Sequence, residues 1–462
     1  MPNGLFPSMS YVSELAGKKC LVIGAGVTGQ AVDKALKKFG AISYLFDEKT
    51  NSKLNVVDQI PQEIDFAVVS PGWRADHPVI LNLKSLGIEI IGEVDFAWKI
   101  KEVIAPNQKW VALTGTNGKT TTIQMVASIF EAAGLSGTAC GNVGETVIAA
   151  VTSANKYDVL ALELSSFQIE WSNEAKFEIG CILNIADDHI DWHGSFKSYA
   201  KSKAKLLGMS QSALLNLSDP EVMQYSTSYL GKKFYFSLKT PMPGELGLVE
   251  NLLIDRAFTN SDAAEAIGEL QDISPAVPHN VLNALAAGGI ARALGISPEK
   301  VQQGLKNFVL DHHRLELILD KAGIKWVNDS KATNPHAALA AILSQSSVIW
   351  IAGGLAKGSD MNDLITRGKN RLREVILIGQ DSEIIKAALT KHAPEVPVHI
   401  ITSDQTGEAL MLEVVTLAKS IAKSGDTVLL APACASMDQF TSYADRGNAF
   451  TKAIEKLVAK NG

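Results

Sequence analysis

Cysteine is scarce: the chain has four in 462 residues, Cys20, Cys140, Cys181 and Cys434, and none of their spacings suits a metal or a disulfide framework. They are expected to be reduced core residues. No stretch reaches the roughly 18 consecutive apolar residues of a membrane span. Residues 1–19 also lack the basic-then-apolar order of a secretory leader. A soluble, cytoplasmic protein with no membrane partner is therefore expected. Positive charge is not in excess either: 43 Lys and Arg stand against 49 Asp and Glu, for a net charge of −6. That argues against nucleic acid as a partner, although a local basic pocket for phosphates stays open. Internal repeats and low-complexity tracts are missing as well. Hydrophobic residues, at 46%, suffice for two or three cores of ordinary size, and three domains are expected.

The most informative stretch is Lys109-Trp-Val-Ala-Leu-Thr-Gly-Thr-Asn-Gly-Lys-Thr-Thr-Thr122, an apolar strand that breaks into a glycine loop and then a helix. This is the order of a phosphate cradle. Gly115 and Gly118 let the backbone N–H groups around Thr116 and Asn117 turn onto one anion, and the helix from Lys119 adds the positive end of its dipole. Lys119 would reach the terminal phosphates and the Thr120 hydroxyl a Mg²⁺ ion, with Thr121 following in the first turn. The longer form of this loop has a glycine six residues before the lysine. Leu113 stands there, so the loop is the shorter Gly-x-x-Gly-Lys-Thr type.

Upstream, Cys20-Leu-Val-Ile23 is a buried-type strand followed by Gly24, Gly26 and Gly29 and a helical pattern to Phe39. A second strand, 42–46, ends at Asp47, where a carboxylate can meet a ribose hydroxyl. Taken literally this is a nicotinamide site, but glycine-rich first turns serve any pyrophosphate ligand, nucleotide sugars included. Ala67-Val-Val-Ser70-Pro-Gly72 ends another strand on the same edge. A break at Ala105-Pro-Asn-Gln108 places a boundary near residue 104.

From there strands and helices alternate to a second boundary near Leu310, in the pattern of a parallel sheet. Residues 234–238 and 251–254 look like hairpin additions on one edge. Two helices follow, over 280–294 and 297–308, with Ser297 as N-cap and Pro298 at the first position. Beyond Arg314 the strands 325–328, 348–352, 374–378, 396–401 and 427–431 alternate with helices as a third α/β unit.

Two residues invite chemistry. Glu163 ends the buried strand of Leu160-Ala-Leu-Glu-Leu-Ser-Ser-Phe-Gln168, and a buried carboxylate needs a cation, either Mg²⁺ or a basic side chain. His189, in Asn184-Ile-Ala-Asp-Asp-His-Ile-Asp-Trp-His-Gly194, is the favoured second metal ligand, although a lone histidine is more often structural. Lys201, Lys203 and Lys205 read from periodicity alone as a solvated helix face.

Together, Thr114-Gly-Thr-Asn-Gly-Lys-Thr-Thr, Glu163-Leu-Ser-Ser-Phe-Gln, Asp188-His-Ile-Asp, His279-Asn-Val-Leu-Asn-Ala-Leu, His313-Arg-Leu-Glu, Asn328-Asp-Ser-Lys-Ala-Thr-Asn and Pro432-Ala-Cys-Ala-Ser-Met-Asp-Gln-Phe resemble the motifs of the Mur ligases. The match runs in order over nearly the whole chain, and is strongest to the members that add D-glutamate to UDP-N-acetylmuramoyl-L-alanine. The resemblance implies an ATP-dependent amide ligase of peptidoglycan synthesis, α/β throughout. Residues 1–104 would be a Rossmann-like module for the UDP-sugar, 105–310 the ATPase domain with a mostly parallel sheet, and 311–462 a mobile Rossmann-like module.

It implies roles residue by residue. Val27, Thr28, Asp47, Ser70 and Gly72 would meet the nucleotide sugar, and Asn142 its muramoyl part. Asn280 and Asn283 would surround the adenine, while Arg314 and Asp329 would contact ATP from the third domain. Thr120 and Glu163 would hold one Mg²⁺ and His189 a second, beside Lys203 carbamylated by CO₂. Lys331, Thr333, Lys357 and Ser436 would receive glutamate, whose two carboxylates call for cations and hydroxyls. The sequence departs from the family at Asp187-Asp-His and at His312-His-Arg, where a proline commonly precedes His-Arg. The Asp-Asn-Pro-Arg of diaminopimelate-adding relatives is absent.

The rivals are the same ligation with L-glutamate, a folylpolyglutamate synthase, a nicotinamide-dependent oxidoreductase and a nucleotide-binding switch. The N-terminal module disfavours the folate enzyme; an oxidoreductase would leave Lys119 and Glu163 unexplained; a switch needs no second-substrate pocket. A monomer is the default.

Overall fold

The computed structural model describes residues 10–48, 56–57, 59–259, 263–402 and 404–459. The chain divides into two compact units. The first comprises Met1–Ile185, Trp192–Ala276 and Asn280–Phe308; the second comprises Ala186–Asp191, Val277–His279 and Val309–Gly462.

The first unit holds two sheets. One is four-stranded and wholly parallel, in the order Ile42–Phe46, Lys19–Ile23, Phe66–Val69, Glu89–Gly92. Its first strand turns through Gly24 into the helix Val27–Lys38. A Cβ at Gly29 would stand 1.7 Å from the Gly24 carbonyl oxygen, so only glycine lets the helix start this close to the turn.

The other sheet has nine strands, in the order Glu265–Glu269, Leu252–Asp255, Glu245–Val249, Lys232–Phe236, Ser210–Asn216, Phe177–Ile182, Lys109–Thr114, Val159–Glu163, Gly137–Gly141. Lys109–Thr114 lies deep in it, parallel to both neighbours. Trp110 to Leu113 are buried on both faces, which is why this strand reads as a continuous apolar run and not an alternation. The hairpin expectation for this edge is half corrected. Leu252–Asp255 pairs antiparallel on both sides, but Lys232–Phe236 runs parallel to both of its neighbours. Phe234 and Phe236 are buried against the sheet core, a demand that fits either direction and so hides the topology. The helices expected after residue 280 are Pro278–Ala293 and Pro298–Asn307; Ser297 stands at the N-cap of the second without a hydroxyl bond to its backbone.

The second unit has one six-stranded sheet, ordered Glu316–Lys321, Ile324–Asn328, Thr427–Leu430, Val348–Gly353, Leu372–Ile378, Val398–Ile400. It is parallel except for the first strand.

Two carboxylates fasten the sheets of the first unit to each other. The helix Glu93–Ile104 leaves the four-stranded sheet directly. Glu93, 3% exposed, accepts from the Ile148 N–H at 2.7 Å, in the first turn of the helix Val147–Thr152. Asp95 accepts from the N–H groups of Asn173, Glu174 and Ala175 at 2.7, 3.1 and 3.1 Å. Each satisfies backbone donors that have no partner within their own segment.

Desolvation raises the Glu93 carboxyl to about 7, against the pull of the Ile148 and Val147 amides. A carboxyl raised on folding holds its proton longer in the native state, so its contribution to stability falls as pH rises from the ordinary carboxylate range toward 7. Glu93→Gln removes that titration. The unfolding free energy of Glu93→Gln minus that of the native protein is expected to grow as pH rises from about 5 to 8, by a total on the order of a few kcal/mol. A difference independent of pH in calorimetry counts against it.

Candidate active site

The loop from Thr114 to Lys119 leaves its strand at the carboxyl edge of the nine-stranded sheet. Thr114 is tied across the ladder by its hydroxyl, which donates to the Leu164 carbonyl at 2.8 Å. Asn184, at the end of the neighbouring strand, clamps the loop. Its Oδ1 accepts from the Thr116 and Asn117 amides at 3.0 and 2.8 Å, and its Nδ2 donates to the Asn117 carbonyl at 3.0 Å. The Thr116 hydroxyl lies 2.9 Å from the Tyr199 hydroxyl. Gly118, at φ +82°, caps the helix Lys119–Ala132 without a side chain, and a Cβ there would sit 2.5 Å from Asn283 Oδ1. Asn283 is thus packed onto the loop, whereas Asn280 donates to the Pro275 carbonyl at 3.1 Å. Thr120 is half-buried and Thr121 buried in the helix's first turn.

Two lysines converge on this loop. Lys119 Nζ donates to the Gly115 and Thr116 carbonyls at 2.9 and 3.0 Å. Lys203 Nζ donates to the same Gly115 carbonyl at 2.8 Å, beneath the Thr114 hydroxyl and 4.6 Å from the Tyr199 ring centroid. At 2% exposure Lys203 does not lie on the solvated face that its periodicity suggests; the helix Phe196–Gly208 turns it inward.

Glu163, 1% exposed, pairs in register with Leu113, so it ends its strand beside the loop. Its Oε1 accepts from Asn142 Nδ2 at 2.8 Å; its Oε2 is buried with no hydrogen-bond partner. A carboxylate oxygen buried without a donor is costly, and its chemistry fits a cation. Among the described residues no cluster of three His, Cys, Asp or Glu could hold a metal by itself. Mg²⁺ takes one or two protein ligands and completes its shell with phosphate oxygens and water, so Glu163 and the Thr120 hydroxyl are residues that could hold it.

The residues expected at the nucleotide sugar sit on the carboxyl edge of the four-stranded sheet. Gly26 begins the helix Val27–Lys38 with no side-chain cap, and the space where its Cβ would be is open. Val27 is 77% exposed and Thr28 half-buried. Asp47 accepts from the Ala25 amide at 2.6 Å, and so holds the glycine turn itself. The Ser70 hydroxyl approaches the Gly24 carbonyl at 3.4 Å, and Gly72 borders open space.

In the second unit three loops meet at the carboxyl edge of the sheet. Ala433 N–H donates to the Ala332 carbonyl at 2.9 Å, and Leu355 and Ala435 exchange hydrogen bonds at 2.8 and 3.0 Å. This gathers Lys331, Thr333, Lys357 and Ser436. Lys331 Nζ stands 3.8 Å from the Tyr443 ring centroid, Lys357 takes a left-handed backbone at φ +51°, and Ser436 is buried. Arg446, 1% exposed, ties the loops together through Ser330 Oγ at 3.0 Å, the Ser330 carbonyl at 2.9 Å and the Cys434 carbonyl at 3.2 Å. Desolvation pulls its guanidinium down to about 10. Asp329 accepts from Leu315 N–H at 3.2 Å, next to Arg314 in sequence. His189, also in this unit, has φ +53° and its backbone N–H donates to Asp188 Oδ1 at 3.0 Å, so the adjoining carboxylate braces the turn.

Comparison with known proteins follows the same two sites. A family model described as Mur ligase middle domain matches residues 113–291, and one described as Mur ligase, glutamate ligase domain matches 313–434. The UDP-N-acetylmuramoylalanine–D-glutamate ligase of Thermobifida fusca is 42% identical over 468 residues, covering 96% of this chain and 100% of its own. That of Streptomyces coelicolor is 41% identical over 471 residues, covering 97% and 100%. The chain belongs to the Mur ligase family. It is an ATP-dependent amide ligase. Solved structures agree on the fold: a pseudomurein peptide ligase type C from Methanothermus fervidus (TM-score 0.61, 20% identity, 96% of this chain and 100% of that one) and the Thermotoga maritima MurF ligase in complex with ADP (0.60, 16%, 98% and 97%).

Several residues of this Mur ligase site escape a sequence reading. Asn184 lies inside a run whose carboxylates and histidines draw attention, yet it is the asparagine that clamps the loop. Tyr199 carries no spacing signal, and Arg446, in the motif that ends the family resemblance, gives no hint of its role, because their partners are distant in sequence.

Gly118→Ala places a Cβ against Asn283 at a backbone angle that costs an L-residue about 1–2 kcal/mol. ATP affinity is expected to fall about 10-fold or more, and the melting temperature to drop by a few degrees from the folded-state strain. Unaltered affinity by calorimetric titration contradicts this account of the loop.

Proposed function

We propose that this ligase joins D-glutamate to the L-alanyl carboxylate of UDP-N-acetylmuramoyl-L-alanine in the cytoplasm, converting ATP to ADP and phosphate. The observation that carries the chemistry is the unpartnered Glu163 oxygen beside the phosphate loop. The choice of substrates is supported by relatives of that name matched over nearly the whole chain.

In this reading the domains are 1–104, 105–310 and 311–462, and the chain works as a monomer. Val27, Thr28, Asp47, Ser70 and Gly72 receive the nucleotide end of the acceptor and Asn142 its muramoyl part. Asn280 and Asn283 border the adenine, and Arg314 and Asp329 contact ATP. Thr120 and Glu163 would hold one Mg²⁺, and His189 with a carbamylated Lys203 the second. Magnesium so bound supplies charge neutralisation at the phosphate oxygens. Lys331, Thr333, Lys357 and Ser436 bind the two carboxylates of glutamate.

An acceptor carboxylate oxygen attacks the γ-phosphorus, the bond to ADP breaks, and an acyl phosphate forms. The deprotonated glutamate amine then adds to the acyl carbon, and phosphate leaves as the amide closes. Lys119 turns from the Gly115 and Thr116 carbonyls to the transferring phosphoryl group, where its charge counts most as the bonds rearrange. Carbamylation of Lys203 removes one of the two ammonium groups that share the Gly115 carbonyl.

Phosphate release with UDP-N-acetylmuramoyl-L-alanine, ATP and Mg²⁺ tests the assignment. Release with D-glutamate, and a product heavier by one glutamyl residue, is expected. The same product from L-glutamate alone overturns the stereochemistry, and no product with either overturns the acceptor. Lys203→Ala is expected to lower kcat about 100-fold or more, as for losing one electrostatic stabiliser. Near-normal turnover at saturating Mg²⁺ removes Lys203 from the mechanism.

A further inference from the structure

The loop that ends the third strand of the four-stranded sheet is held by two indoles from the other half of the first unit. Trp171 Nε1 donates to the Trp73 carbonyl at 2.9 Å, and Trp192 Nε1 donates to the Gly72 carbonyl at 3.1 Å. Trp73 itself lies against the glycine turn, its Nε1 only 3.0 Å from where a Cβ on Gly24 would be.

Trp171 is buried and packs into the core of the four-stranded sheet, so its bond is part of the fold. Trp192 is half-buried and belongs to a different set of contacts. Its ring lies 4.7 Å from Phe167 and 4.5 Å from His193, centroid to centroid. His193 in turn lies 5.4 Å from the Tyr199 ring, and its Nε2 is 2.9 Å from Ser166 Oγ. Tyr199 is buried, and its hydroxyl meets the Thr116 hydroxyl in the phosphate loop at 2.9 Å. A continuous path therefore runs from the Gly72 carbonyl through Trp192, His193 and Tyr199 to Thr116.

We propose that Trp192 is a positioning residue that couples the sugar-nucleotide loop to the phosphate loop, so that acceptor and ATP each bind more tightly when the other is present. This rests on the acceptor assignment above. The physical content is geometric. The Gly72 amide and carbonyl belong to one short turn, closed by the Trp73 N–H donating to the Ser70 carbonyl at 3.2 Å. Holding the carbonyl fixes where the turn's other polar groups point. An acceptor settling on the turn fixes Trp192, and the packed rings leave Tyr199, and with it Thr116, fewer arrangements. A ligand that orders one end lowers the ordering cost at the other, and such coupling is reciprocal.

The test is a binding cycle by calorimetry on the full chain, with UDP-N-acetylmuramoyl-L-alanine and the non-hydrolysable analogue AMP-PNP, each alone and in the presence of the other. Coupling in the native protein is expected at about 5-fold or more, the low end of measured allosteric factors. Trp192→Phe keeps an aromatic ring but removes the donor. It should reduce the coupling to near unity and raise the acceptor KM about five-fold, the worth of one neutral hydrogen bond, with kcat at saturation within about two-fold of native. Trp192→His, which retains a ring N–H, should recover part of the KM, and Tyr199→Phe should abolish the coupling from the other end.

Native protein that binds both ligands without coupling overturns the proposal, as does native coupling in both Trp192→Phe and Tyr199→Phe. A loss of kcat with unchanged KM in Trp192→Phe would place Trp192 in the chemical step and also overturn it. If the native protein does not bind the acceptor at all, the acceptor assignment fails first and this proposal with it.

Discussion

Two ammonium groups, on Lys119 and Lys203, donate to the one carbonyl of Gly115, and much of the architecture around the phosphate loop answers that arrangement. Like charges close together and partly out of water repel. The arrangement favours whatever brings negative charge: a triphosphate at the loop amides, or a change in the charge of Lys203. Across the ladder the problem has the opposite sign, with a buried carboxylate oxygen of Glu163 that lacks a donor. Two ammonium groups on one side and a buried carboxylate on the other suit a magnesium nucleotide.

This geometry is held by restraints from outside the loop. Its amides are oriented by Asn184, its first threonine by the Leu164 carbonyl, its second by Tyr199, and its second glycine is backed by Asn283. All four restraints come from other strands and helices of the nine-stranded sheet. Preorganised dipoles matter because a site that need not reorganise during reaction keeps its full electrostatic effect. Glu93 and Asp95 extend the same logic to the four-stranded sheet by fastening it through backbone amides of the neighbouring layer. In the second unit the corresponding device is Arg446, which binds two loops from within through hydroxyl and carbonyl oxygens.

In all three sheets the polar residues cluster where parallel strands end. The strands are apolar and buried, so side chains with chemistry are tolerated only in the loops beyond their carboxyl ends. This explains why much of the candidate site stands out in the sequence. The order strand, glycines, Lys119, helix is local and tied to one chemistry, and Glu163 stands out because a carboxylate ends an otherwise apolar strand. Lys203 was not legible from spacing, since a helix of alternating lysines looks solvated until its packing partner is known. Nor was the direction of Lys232–Phe236, because buried aromatic residues suit parallel and antiparallel neighbours equally.

The sequence by itself determined the α/β class, the strand–glycine–helix loop and the family, because each depends on short-range patterns or on motifs kept in order. Only the tertiary structure decided which groups meet: Asn184 on the loop, Tyr199 on Thr116, Trp192 on Gly72, Arg446 on Ser330 and Cys434. Those pairs are separated by 68, 83, 120, 116 and 12 residues. Contacts of that kind are set by how sheets and helices pack, and they leave no periodicity in the chain.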